Sequence, residues 1–263
     1  RRLDGRPAAG PWFGALPERH LVRLGAWLDL RDDERAWLER GLFEAAYDRV
    51  ADSGAVDPGR SFVLDAWLRD QGHLWLAVPD GPGPWPLVVF LHGNGGPFQF
   101  YAEVLARAAV SRGFALVMPT WGFGHWSTDA GRARLAAAVE AVARQHPIDL
   151  SRVHLLGLSA GGIGAVEAFA RDPARFRACA ALSGAPAAPS GGDPAFGGRP
   201  LLLVHGARDA RVPVAAARAL ARATAEHGGR AELVEVAHGD HFILLSHEAH
   251  VVRLLLDWLR AQG

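Results

Sequence analysis

Lysine is missing from the chain: all 28 basic side chains are arginine. That removes a Lys Schiff base, a phosphate-loop Lys and a Ser–Lys pair from the available chemistry. Neither sign of charge is in excess. The 28 acidic side chains balance the basic ones, the formal net charge is zero and the isoelectric point is near 7.4, so no basic surface for nucleic acid is expected. Cysteine occurs once, as Cys179, which excludes an intramolecular disulfide framework and any zinc site built on cysteines. Its place in the apolar run Ala178–Leu182 reads as that of a buried small hydrophobe. No apolar run approaches the roughly 18–20 residues of a membrane helix, so no membrane span is expected. The first residues, Arg1-Arg2-Leu3-Asp4-Gly5, include neither an initiating Met nor an apolar signal core, and the N-terminus reads as trimmed. Compartment is left open on that ground, with the cytoplasm as the default and a lost secretion signal as the alternative. What is present is ordinary for a folded protein: 49% hydrophobic and 21% charged residues over 263 positions, enough for one large α/β domain or two small ones.

Two textures divide the chain. Residues 17–52 carry apolar positions at helical spacing among charges, with Asp32-Asp33-Glu34 placed as acids at a helix start. Residues 1–60 are therefore expected to be an N-terminal helical extension. Its tryptophans (Trp12, Trp27 and Trp37) would pack on the core, shield a sheet edge as a lid, or make a dimer contact. From about residue 61 short β-like runs alternate with long helical ones. The runs are Leu74–Val78, Leu87–Leu91, Ala115–Met118, Val153–Leu156, Cys179–Leu182, Leu201–Val204 and Ala231–Val236. Helix-like stretches cover 101–112, 131–145, 160–171, 213–227 and 246–261. This alternation predicts an α/β fold over 61–263, a mostly parallel central sheet with helices on both faces. Runs apolar throughout, such as Leu87-Val88-Val89-Phe90-Leu91, suit strands covered on both sides.

The strongest chemical signal is Gly157-Leu158-Ser159-Ala160-Gly161-Gly162, directly behind the run Val153–Leu156. A strand that ends at a serine, with a helix beginning right after it, is the context of a nucleophile elbow, which lifts the hydroxyl above the sheet on a strained turn. Flanking glycines fit because strand and helix backbones approach too closely for a Cβ. A serine hydroxyl is a weak nucleophile and needs a base, itself oriented by an acid. In the chain order that accompanies such an elbow, acid and then base follow later strands. Asp209 stands just after the run Leu201–Val204 and is the expected acid, ahead of Asp240. His241 follows the run Leu233–Val236 and is preferred as base over His238. His125 precedes the serine and breaks the order. The run Val88–Leu91 enters the glycine-rich His92-Gly93-Asn94-Gly95-Gly96, which fits an oxyanion hole made by the N–H of Ala160 with that of Asn94 or Gly95. The same loop lacks the G-x-G-x-x-G spacing of a phosphate cradle.

With these elements in this order, residues 61–263 resemble α/β-hydrolase serine hydrolases. The residues that carry the resemblance are Leu91–Gly96, Asp149–Gly162, His205–Asp209 and Gly239–Phe242. The block from Asp149 to Gly162 is most similar to the branch of feruloyl and acetyl esterases, polyhydroxyalkanoate depolymerases, dienelactone hydrolase-like enzymes and prolyl-oligopeptidase-type peptidases. The resemblance implies acyl transfer to water through an acyl-serine, on a small or polymeric ester and without a cofactor. A prolyl-oligopeptidase-like peptidase is the rival activity, and a non-catalytic binding protein on the same fold the rival class. Trp121, Phe123 and Trp126, with Phe98, form a candidate apolar wall for substrate. The histidines His238, His241, His247 and His250 invite a metal, but no His-Glu-x-x-His or completing acid accompanies them and none is expected. Oligomeric state is not legible.

Overall fold

The computed structural model describes residues 74–93, 98–119, 121 and 125–263. The expected N-terminal helical extension, and the boundary near residue 61, lie outside the described residues. In chain order the elements are β1 (Leu74–Ala77), β2 (Trp85–Leu91), α1 (Phe98–Val110), β3 (Ala115–Pro119), α2 (Asp129–Gln145) and β4 (Ile148–Leu158). After these come α3 (Ala160–Arg171), β5 (Ala178–Leu182), β6 (Pro200–Gly206), α4 (Val214–Glu226), β7 (Arg230–Val236), α5 (Ile243–Ser246) and α6 (Glu248–Ala261).

The seven strands form one sheet in the order β1-β3-β2-β4-β5-β6-β7. Only β1, at one edge, runs antiparallel. Side-chain alternation explains how one apolar run serves two cores. Leu87, Val89 and Leu91 of β2 join the core beneath α2, α3 and α4. Val88 and Phe90, between them, join the core beneath α1, α5 and α6. Helix α3 is buried on nearly every side, whereas the outer helices offer an apolar stripe to the sheet. On α6 the stripe is Val251, Val252, Leu255, Leu256 and Leu259, spaced for a 3.6-residue period. Helix α2 starts at an N-cap, Thr128, whose hydroxyl accepts the N–H of Gly131, satisfying one orphan donor of the first turn. Cys179 is fully buried in the core beneath α2, α3 and α4, where burial pushes its thiol pKa upward. Because β2 and β4 to β7 are parallel and adjacent, the loops that leave their C-terminal ends share one edge of the sheet. Every candidate chemical residue named above follows one of these ends or that of β3.

Candidate active site

Ser159 occupies the single residue between β4 and α3, with φ 54° and ψ −120°. A left-handed φ at a non-glycine residue costs about 1–3 kcal/mol and persists only where its surroundings over-determine it. Here the Ser159 N–H donates to Leu182 O of β5 at 2.8 Å, and the glycines on either side let three backbones meet. A Cβ on Gly157 would lie 2.2 Å from Gly161 O, and one on Gly161 would lie 2.0 Å from Leu91 O. The spacing of the motif is thus a packing requirement of β2, β4 and α3.

Two further loops converge on the serine. The turns after β6 and β7 are stitched together by Ala207 N–H to Val236 O and Arg208 N–H to Gly239 O, at 3.0 and 2.9 Å. This brings Asp209 beside His241. Asp209 Oδ1 accepts the N–H groups of Arg211 and Val212 at 2.9 and 2.8 Å. Its Oδ2 accepts Nδ1–H of His241 at 2.8 Å, which leaves Nε2 of that ring bare to accept the Ser159 hydroxyl at 3.0 Å. Burial opposes charge on Asp209, yet hydrogen bonds from His205 and His241, the attraction of His241 and the Val212 N–H outweigh it and hold the carboxyl far below its usual range. Phe242 meets the His241 ring edge-on at 5.5 Å. Asp240 is used by the turn itself, its Oδ1 accepting Phe242 N–H at 2.8 Å, while His238 and His125 are exposed. The structure brings Ser159, Asp209 and His241 together and leaves their competitors outside.

Of the expected oxyanion donors, Asn94 and Gly95 lie outside the described residues. Ala160 is the first residue of α3, where backbone N–H groups have no acceptor within the helix. The entrance of the glycine-rich loop is close by: a Cβ on Gly93 would lie 3.1 Å from Ser159 Cβ. His92, at that entrance, was quoted in the sequence only as part of a motif, and the structure gives it a task. Its Nδ1–H donates to Gly93 O at 2.7 Å and its Nε2 accepts Trp121 N–H at 3.0 Å. Its carbonyl accepts the Trp126 indole N–H at 3.0 Å. Burial lowers its pKa to about 4 against a raising contribution from the Gly93 bond, so the ring stays neutral and keeps both bonds.

The aromatic wall needs correction at Trp126. This ring is 2% exposed, sits in the core beneath α2 and α3 and packs so tightly that a Cβ on Gly164 would lie 2.1 Å from its own Cβ. The residue follows a strand at the catalytic edge, but the chain turns it inward. Trp121 is half-buried, with the Arg134 guanidinium 4.2 Å from its ring centre. Phe123, and the side chain of Phe98, lie outside the described residues. Among the described residues no group of three or more His, Cys, Asp or Glu side chains could hold a metal, and His247 pairs through Nδ1 with the Ser246 hydroxyl at 2.8 Å. No helix among them is long and apolar enough to cross a membrane.

Residues 86–196 match the family model described as alpha/beta hydrolase fold, and residues 167–262 match that of a TAP-like protein. The chain has the α/β-hydrolase fold. Solved structures of the same α/β-hydrolase architecture include a thermostable esterase, at TM-score 0.56 and 24% identity over 72% of this chain. The chain spans 58% of that esterase. Esterase 2 of Thermogutta terrifontis, in its apo form, is similar at TM-score 0.61 and 17% identity over 73% of this chain and 90% of its own. The acylaminoacyl peptidase of Pyrococcus horikoshii is similar at TM-score 0.58 and 17% identity over 70% of this chain and 38% of its own. No curated protein matches the chain in sequence.

Proposed function

We propose that the protein is a serine hydrolase that cleaves carboxylic esters through an acyl-serine intermediate. The observation that carries this reading is the position of His241, with one ring nitrogen on the Asp209 carboxylate and the other on the Ser159 hydroxyl. In the proposed cycle Ser159 Oγ attacks the ester carbonyl while His241 Nε2 takes its proton. Asp209, held ionised, orients the imidazole and stabilises the imidazolium. The N–H of Ala160, with that of Asn94 or Gly95, receives the developing oxyanion. His241 then gives the proton to the departing alcohol, takes one from the water that attacks the acyl carbon, and returns it to Ser159 Oγ as the acyl–oxygen bond breaks and the acid leaves. The likeness to esterases agrees with an ester substrate. Likeness to an acylaminoacyl peptidase supports the rival reading, amide cleavage at the same three residues. Ser159→Ala is expected to abolish turnover of p-nitrophenyl acetate and labelling by a fluorophosphonate probe; wild-type turnover in that variant would end the proposal. Faster turnover of aminoacyl amides than of esters would move it to the peptidase. A wild-type protein that is folded but unlabelled would point to a binding module.

A further inference from the structure

Asp209 has a second histidine. His205 is the penultimate residue of β6, 1% exposed, and its Nε2 lies 2.7 Å from Val212 O and 3.2 Å from Asp209 Oδ2. Both neighbours only accept, so Nε2 carries the hydrogen and shares it between them. Each of these acceptors is placed with a purpose. Val212 also donates its N–H to Asp209 Oδ1, so one ring ties the strand end to both limbs of the acid loop. Oδ2 is the oxygen that receives His241, so His205 restrains the carboxylate atom on which the base depends. Among the described residues four donors then surround Asp209, two on each oxygen. A carboxylate so held can neither rotate nor take up the proton of His241. Other charged groups around the pair are Glu235, which stands opposite His205 in the β6–β7 register and is held by Arg218 at 2.8 and 2.5 Å, and Arg208 and Arg211, which flank Asp209 in the acid loop. Packing does not account for a fully buried imidazole at the end of the apolar strand Pro200–Gly206, because an apolar side chain would fill the space at lower desolvation cost.

We propose that His205 is a positioning residue for the acid of the site: it fixes the orientation of Asp209 and tempers its pull on His241. The proposal rests on the hydrolase reading above. His205→Phe keeps a ring in the space and removes the donor, whereas His205→Gln returns an N–H near the place of Nε2. On p-nitrophenyl acetate, His205→Phe is expected to lower kcat about 10- to 100-fold with KM within about threefold, as for a small misplacement of a catalytic group. The acid limb of kcat/KM should move to higher pH, because an Asp209 with fewer donors holds the His241 proton more tightly. His205→Gln should recover most of kcat and bring the limb back. In an Asp209→Asn background the His205→Phe change should cost little more, since a residue acting through Asp209 has nothing left to act on. Thermal melts of each variant report folding. A folded His205→Phe with wild-type kcat and an unmoved acid limb overturns the proposal. So do equal losses in both His205 variants with an unmoved limb, or losses that simply multiply with Asp209→Asn. Failure of the hydrolase reading is seen separately, as turnover that survives Ser159→Ala in the otherwise native chain.

Discussion

At the scale of single residues the site separates look-alikes by what each side chain already does. Asp209 and Asp240 are both loop carboxylates near His241, but Asp240 is spent on the N–H of Phe242 while Asp209 faces the imidazole. An Asp209→Asn change keeps the size and loses the charge that holds the correct tautomer. Its kcat on p-nitrophenyl acetate is expected to fall by about 10⁴-fold with KM little altered, whereas His238→Ala, at an exposed position, is expected to keep wild-type kcat. Steady-state kinetics of the two variants checks both, and the opposite ranking would reassign acid and base. The turn at Ser159 was legible because its glycines are spaced by the close approach of strand and helix backbones. His92 and His205 were not recognised as working residues. The trace they leave is a histidine closing an otherwise apolar strand, Val88–Leu91 or Leu201–Val204, and sequence does not tell what such a ring will touch.

At the scale of elements, close approach of backbones decides more than propensity. Alanine in place of Gly161 would favour the α3 helix by about 1 kcal/mol, yet its Cβ would stand 2.0 Å from Leu91 O. That is backbone, which cannot swing aside. Gly161→Ala is therefore expected to lower the midpoint of thermal unfolding and to lose most turnover, because β2, β4 and α3 must part and Ser159 moves with them. A melting temperature equal to that of the native chain would show that the three elements tolerate separation. Strands and helices themselves followed from the alternation of short apolar runs with amphipathic stretches, to within a few residues at most ends. β4 is the main exception: it begins at Ile148 rather than Val153, because its first five residues, half-buried or exposed, mix Ile148 and Leu150 with Asp149, Ser151 and Arg152 and so form no continuous apolar run. Trp126 departed for the same kind of reason. Its residue type suits a pocket wall, and its burial depends on where α2 and α3 leave room.

At the scale of the whole molecule, two imidazoles link stability to pH. Burial lowers both His92 and His154 to about 4, from 6.5 for a free side chain, and the charges of Arg177 and Arg152 lower His154 further. The unfolded chain therefore binds protons first on acidification. Stability is fully present above pH 6.5 and is lost progressively as pH falls from 6.5 towards 4, by about 3 kcal/mol for each ring. Urea unfolding at pH 7.0, 5.5 and 4.5 is expected to show this decline, and His154→Leu should flatten it; an unchanged slope would remove His154 from the account. Composition and pattern by themselves determined the layered α/β architecture and the place of Ser159 in the tight turn between a strand and a helix, since those depend on local periodicity and on glycines demanded by near contacts. Only the tertiary structure decided which carboxylate meets which imidazole, that His205 and His92 brace the site, and that Trp126 turns inward. Those outcomes rest on distances between segments remote in the chain, set by strand order and by how helices fill the two faces of the sheet.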